Sequence, residues 1–135
     1  MTLRRVQSAA ILEKARDLLP KDVVGFDPEG LSSEERNITL ERDGDIGLFE
    51  HVYDGVYEGH YLFRNAKGGD ALALAQEMLD FVFREGAEVI RGLTPLDNKP
   101  ALYVTAKLGF TNYGDIETEV GTMRLSLLTK KDFYK

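Results

Sequence analysis

The sequence predicts an α/β (α+β) domain, in which helices flank a mixed, mostly antiparallel sheet of about seven strands. Two Asp-Gly steps separate three runs of alternating apolar and polar residues, which is the pattern of a hairpin meander. A strand-like run then passes through a glycine-containing loop into a helix with an apolar stripe, and another strand-like run follows. Because a strand–helix–strand crossover joins parallel strands, one pair in the sheet is expected to be parallel.

Length, charge and composition narrow the class of protein. The 135 residues fit one domain spanning 1–135, and 43% hydrophobic with 30% charged residues is typical of a folded chain. A net charge of −6 argues against nucleic acid as a partner, because such binding depends on Lys and Arg. There is no cysteine, which is compatible with the expected cytoplasmic location. No apolar run approaches the roughly 20 residues of a membrane span, so no membrane partner is expected.

The N-terminal part predicts one strand and one helix. Residues 2–6 form a short β-like run, and Ser8 can cap a helix whose apolar stripe reaches Leu19. Pro20 ends that helix. Residues 22–35 are rich in turn residues, which favours either a short helix or an ordered loop.

The meander comprises the runs Asn37–Arg42, Asp45–Tyr53 and Val56–Phe63. If both turns contain two residues, the register places His51 opposite Glu58. The same register places Phe49 opposite His60. His51, Glu58 and His60 would then share one face of the sheet, and these are both histidines of the chain beside one carboxylate.

The remainder predicts two helices and three strands. A helix over 72–83 leads to a strand over 86–93, which Thr94-Pro95 ends. Asn98 and Pro100 can begin a second helix that stops at Gly109. Strands over 110–120 and 122–133 complete the order β-α-β-β-β-α-β-α-β-β.

The loop before the central helix predicts an anion site. A strand that enters a helix through glycines directs backbone N–H groups and the positive end of the helix dipole at one point, which suits phosphate. The residues that would form it are Lys67, Gly68, Gly69, Asp70 and Ala71. The alternative is a tight turn in which Asp70 caps the helix.

Three passages of the chain resemble the Gcn5-related N-acetyltransferase (GNAT) superfamily. The loop and central helix are similar to the family's acetyl-CoA pyrophosphate motif, with Gly69 and Ala71 in its last two positions. The second helix is similar to the Asn-x-x-Ala helix that ends Lys-Leu-Gly-Phe, with matches at Asn98, Ala101 and 107–110. The segment 122–133 resembles the last strand. The arrangement is most similar to the short GNAT domains of phage and prophage genomes.

The sequence departs from the family pattern at two positions. Ala66 stands where the pyrophosphate motif opens with Gln or Arg, although backbone N–H groups carry most of that binding. Thr105 stands where many members have the tyrosine that protonates the departing CoA thiolate. Tyr103 lies two residues earlier and would point about 200° away on a helix, so we expect it to pack there. The general acid therefore stays open.

The resemblance implies transfer of an acetyl group from acetyl-CoA to a primary amine in a ternary complex, without a metal. Glu58 or His60 would take the amine proton through water, and a backbone N–H in 60–63 would polarise the acyl carbonyl. The residues expected to bind acetyl-CoA are Tyr61, Leu62, Phe63, Lys67, Gly68, Gly69, Asp70, Ala71, Asn98 and Thr105.

Other interpretations stay open at this point. The two histidines and Glu58 could form a structural polar cluster, and Asn98 could simply cap its helix. The chain could also be a GNAT-like scaffold without activity, for instance in a virion, or an enzyme that uses another acyl-CoA. The acceptor would be a small molecule or a protein, and a homodimer is possible.

Overall fold

A computed structural model describes residues 3–6, 36–119 and 121–135, and these residues form a seven-stranded sheet with three helices. The spatial order of the strands is β1-β2-β3-β4-β5-β7-β6. The strands are β1 (Arg4–Val6), β2 (Ile38–Arg42), β3 (Asp45–Tyr53), β4 (Val56–Leu62), β5 (Val89–Pro95), β6 (Thr111–Thr118) and β7 (Gly121–Thr129). The helices are α1 (Gly68–Arg84), α2 (Lys99–Lys107) and α3 (Lys130–Phe133).

The predicted mixed sheet is confirmed, with β4 and β5 as its one parallel pair within the described residues. Only three residue pairs join these strands, from Val56 with Val89 to Glu58 with Arg91. Beyond this last pair the ladder between the two strands ends, although β4 continues along β3 and β5 continues along β7. The sheet therefore opens at its centre, and we call this opening between β4 and β5 the fork.

The predicted register of β3 against β4 is wrong by one residue over most of its length. The turns have the expected two residues, and Tyr53 lies opposite Val56, but the register shifts between His51 and Tyr53. This bulge places an extra residue in β3, so His51 lies opposite Tyr57 and Glu50 lies opposite Glu58. Because side chains alternate along a strand, His51 leaves the face that carries Glu58.

The helix α1 covers one face of the sheet. Its apolar stripe includes Leu74, Met78 and Val82, which are buried in one cluster with Phe49. A Cβ atom on Gly47 would lie 2.5 Å from the sulfur of Met78, so any larger residue at this position of β3 would force the Met78 side chain to shift. Strand alternation then places Glu58 and the residue two positions later, His60, on the face opposite α1.

Two strand ends differ from the prediction. β5 continues through Pro95 because, past the fork, it has a free edge on the β4 side, and such an edge tolerates proline. The last predicted strand ends at Thr129, whose side chain accepts a hydrogen bond from the Asp132 N–H and caps α3. The predicted first helix and residues 22–35 lie outside the described residues. Over the part of the chain that is described, we find no helix with the length and apolar character of a membrane span.

Candidate active site

The fork opens into a cavity of about 450 Å³. Residues 59–63 of β4 and 91–95 of β5 line its two sides. The start of α1 closes one end, and α2 contributes Pro100, Ala101, Val104 and Thr105. Four elements (β4, β5, α1 and α2) and the loop before α1 therefore converge on one cavity in the middle of the sheet. Ligand sites of α/β proteins commonly lie at such openings.

The start of α1, where the sequence predicts an anion site, also lines this cavity. Lys67 precedes the first turn and has no side-chain cap, while its carbonyl accepts hydrogen bonds from the N–H groups of Asp70 and Ala71. Gly68 has a positive φ of 54°, and a Cβ atom on Gly68 or Gly69 would meet nothing within 4 Å. The 17-residue helix thus presents its positive end to open space.

Some of the residues predicted to bind acetyl-CoA line the cavity, and the others lie outside its lining. Those that line the cavity are Tyr61, Leu62, Phe63, Lys67, Gly68, Ala71 and Thr105. Gly69 and Asp70 are exposed in the first turn of α1, outside the lining. Asn98 also lies outside it and accepts a hydrogen bond from the Ala101 N–H at 3.2 Å, which is the helix-cap role.

The loop between β4 and α1 is held by a residue that the sequence did not point to. The buried carboxylate of Asp45 accepts three backbone hydrogen bonds, from the N–H groups of Arg64 at 2.5 Å, Asn65 at 2.7 Å and Ala66 at 2.9 Å. A carboxylate that accepts several N–H groups fixes the backbone around it. Asp45 therefore sets the path by which the chain enters α1.

A polar cluster lies at the other end of the cavity, on the face opposite α1. Glu58 is only 5% exposed, and its Oε1 accepts a hydrogen bond from Nε of Arg91 at 2.9 Å. Nε2 of His60 lies 3.3 Å from Oε2 of Glu58 and 3.9 Å from Oε2 of Glu50. We call these four residues, Glu50, Glu58, His60 and Arg91, the fork cluster. His60 and Arg91 also line the cavity.

Two members of the fork cluster, Glu58 and His60, have shifted pKa values. Burial alone would raise the pKa of Glu58, but the hydrogen bonds and charges of His60 and Arg91 outweigh it and lower that pKa. Burial alone would lower the pKa of His60, but the two carboxylates beside it outweigh burial and raise that pKa. Glu58 is therefore held as an anion, and the protonated form of His60 is favoured by the carboxylates beside it.

The fork cluster could also be read as a cation site. One oxygen of Glu50, one of Glu58 and a nitrogen of His60 lie within 4.8 Å of one another, close enough to bind a metal ion together. The guanidinium of Arg91 already occupies one oxygen of Glu58 and adds a positive charge beside it. That charge opposes a divalent cation, so proton transfer suits the cluster better than metal binding.

The helix α2 brings no tyrosine to the cavity. Thr105 lines it, but its hydroxyl donates a hydrogen bond to the Ala101 carbonyl at 2.8 Å. Tyr103 is 64% exposed, and the ammonium of Lys107 lies 5.5 Å from the centre of its ring. We expected Tyr103 to pack on its helix. Its packing there is limited to this cation–π contact, which lies on the solvent side.

Comparison with known proteins identifies the fold. No family model and no curated protein sequence matches the chain. Among solved structures, a mutant of the spermidine N-acetyltransferase SpeG from Vibrio cholerae superposes with a TM-score of 0.76 at 12% identity, covering 98% of this chain and 97% of that one. RimJ from Mycobacterium smegmatis, in complex with CoA-disulfide, gives a TM-score of 0.70 at 19% identity over 98% and 83% of the two chains. The chain therefore has the GNAT fold, as the resemblance predicted.

Proposed function

We propose that this protein is an N-acetyltransferase that moves the acetyl group of acetyl-CoA directly to a primary amine. One observation carries the proposal. The same cavity is lined by the N-terminal turn of α1 and by His60, whose Nε2 lies 3.3 Å from the buried carboxylate of Glu58. A scaffold without activity has no need to bury such a pair beside a cavity, because burying charged groups costs free energy.

Acetyl-CoA would occupy the cavity from the helix to the fork. The backbone N–H groups of Lys67, Gly68 and Gly69, together with the dipole of α1, would bind the pyrophosphate. The pantetheine arm would follow the edge of β4 over 60–63, which β5 has left free, and a backbone N–H there would polarise the acetyl carbonyl. Ala71 and Thr105 would contact the arm from the two helices.

The fork cluster would supply the base. A primary amine attacks the thioester only after losing its proton, and His60 can accept that proton directly or through water. Glu58 stabilises the imidazolium that forms, since its carboxylate lies 3.3 Å from Nε2. Arg91 fixes Glu58 in this position through the hydrogen bond to Oε1.

The acceptor we propose is a primary amine on a small molecule or a protein, approaching from the face that carries the fork cluster. SpeG, which has the same fold, acts on spermidine, a polyamine. The half-exposed carboxylate of Glu50 lies on this face and would attract a cationic amine. The active form we propose is a single-domain cytoplasmic protein that can pair as a homodimer.

Binding of CoA and acetyl-CoA is the first test of this proposal. We expect each ligand at 100 times its Kd to stabilise the protein by about 2.7 kcal/mol in thermal unfolding. Ala71→Glu should abolish this shift, because it places bulk and negative charge in the cavity beside the pyrophosphate site. Ala73→Glu is the matched control, since this alanine lies on the exposed side of the same helix. Absence of a shift in the wild type would contradict the proposal.

The base is tested by the pH dependence of kcat. Because the carboxylates raise the pKa of His60, kcat should be low below that raised pKa and should rise to a plateau above it. Glu50→Gln removes one of these carboxylates and so lowers the pKa of His60. We therefore expect the acid limb of the profile to move to lower pH in this variant. A limb that stays in place, or moves to higher pH, would show that another group titrates.

A further inference from the structure

One tyrosine of the cavity has a hydroxyl that bonds to nothing in the described part of the protein. Tyr61 lines the cavity from β4, and its hydroxyl oxygen is buried without a hydrogen-bond partner there. A buried hydroxyl without a partner costs free energy, so a structure that keeps one next to a cavity gains when a ligand supplies the partner.

The hydroxyl of Tyr61 lies at the fork itself. It is 3.5 Å from the point that a Cβ atom on Gly59 would occupy, and Gly59 is the first residue of β4 past the last pair with β5. The ring is held edge-on between Phe49 and Phe63, each with a centroid distance of 5.9 Å. The hydroxyl is therefore fixed at the place where the two strands separate.

The helix α2 does not supply a free hydroxyl to the cavity. The hydroxyl of Thr105 is already bonded to the Ala101 carbonyl, and Tyr103 points to solvent. Of the residues that line the cavity, Tyr61 is the one that brings a phenol to it.

We propose that the Tyr61 hydroxyl donates a hydrogen bond to the sulfur of CoA as this sulfur leaves. The inference rests on the proposed acetyl transfer and assigns the leaving-group side of it. The amine nitrogen forms a bond with the thioester carbon, and the amine proton passes to His60. The carbon–sulfur bond then breaks, and its electron pair stays on sulfur as a thiolate. The Tyr61 O–H stabilises this thiolate, which takes a proton from water after release.

Hydrogen bonding without full proton transfer fits the surroundings of Tyr61. Burial raises the pKa of this phenol, so it keeps its proton throughout the reaction. A donor of this kind lowers the energy of the negative sulfur and needs no later reprotonation. Catalysis then requires no acid on α2.

The test uses Tyr61→Phe, which removes only the hydroxyl, with Tyr57→Phe as the matched control. Tyr57 lies on the same face of β4, packs its ring against His51 and does not line the cavity. Affinities for CoA and for desulfo-CoA, which lacks the sulfur, are measured by calorimetry on both variants and the wild type. Turnover with acetyl-CoA and an accepted amine is measured beside them.

We expect the wild type and Tyr57→Phe to prefer CoA over desulfo-CoA by about tenfold, and Tyr61→Phe to lose this preference. Turnover of Tyr61→Phe should fall by about 10- to 100-fold. Its melting temperature without ligand should be equal to or above that of the wild type, because the lost hydroxyl had no partner. A structural role for the hydroxyl would instead lower that temperature.

Two results would overturn the inference. In the first, Tyr61→Phe keeps both the wild-type turnover and the preference for CoA. In the second, it weakens CoA and desulfo-CoA equally, which would place the hydroxyl on the pantetheine amides and not on sulfur. The proposed function fails separately, and this inference with it, if the wild type binds neither ligand. If it binds them but no amine is acetylated, the comparison of the two ligands still decides the role of Tyr61.

Discussion

Replacing His60 by alanine should lower kcat by about 100- to 10,000-fold, which is the range that a positioned base contributes. The imidazole lies between the carboxylates of Glu50 and Glu58 and lines the cavity at the fork. Without it, the attacking amine loses the group that we propose accepts its proton. Binding of CoA should persist, because the proposed anion site at the start of α1 involves other residues. Steady-state kinetics and the thermal shift with CoA measure the two effects separately.

The other histidine is the natural control for this variant. The bulge in β3 places His51 on the face opposite Glu58, with its ring 5.3 Å from that of Tyr57. His51→Ala should therefore leave kcat within a fewfold of the wild type. Added imidazole should restore part of the activity of His60→Ala, because it can enter the space left by the side chain. If turnover is unchanged in both His60→Ala and Glu58→Gln, neither residue acts as the base.

The sequence was sufficient to predict the architecture because local signals mark its elements clearly. Asp43-Gly44 and Asp54-Gly55 produce the two tight turns, and both glycines have positive φ angles. The apolar stripe of α1 and the strand that follows it predict the parallel pair. Each of these signals is formed by residues close together in the sequence, so it can be recognised without knowledge of the tertiary structure.

The fork cluster could be predicted only in part, because it depends on register and on pairing across long separations. Glu58 and His60 are two residues apart on one strand, so their shared face follows from alternation alone. Glu50 joins them only because of the bulge between His51 and Tyr53. No glycine or other turn residue at that point of the sequence indicates the bulge. Arg91 joins through the parallel pair with Glu58, 33 positions away in the chain.

The role that we propose for Tyr61 could not be predicted from the sequence, for a different reason. The family pattern directs attention to the position of Thr105 on α2, and that position indeed lines the cavity. The phenol that the cavity does contain comes from β4, whose alternating aromatic residues are equally expected in a core. Only the burial of the Tyr61 hydroxyl, without a partner in the described residues, separates it from an ordinary packing residue.

Asp45→Asn should destabilise the protein by about 1–3 kcal/mol, although the two side chains are nearly equal in size. The Asp45 carboxylate accepts hydrogen bonds on both oxygens, two on Oδ1 and one on Oδ2. An amide offers one oxygen, so its NH₂ group must face at least one backbone N–H of the loop. The buried N–H then loses its acceptor and meets another donor. Urea unfolding measures this loss.

The same substitution should weaken CoA binding by about 5- to 100-fold, because part of that free energy must be spent on ordering the loop when the ligand binds. Asp43→Asn is the matched control. Asp43 lies two residues earlier in the exposed turn, with φ of 54°, and asparagine tolerates that conformation well. It should leave both stability and CoA affinity unchanged. If Asp45→Asn behaves like Asp43→Asn, the loop holds its shape without the carboxylate, and the anion site is ordered by α1 alone.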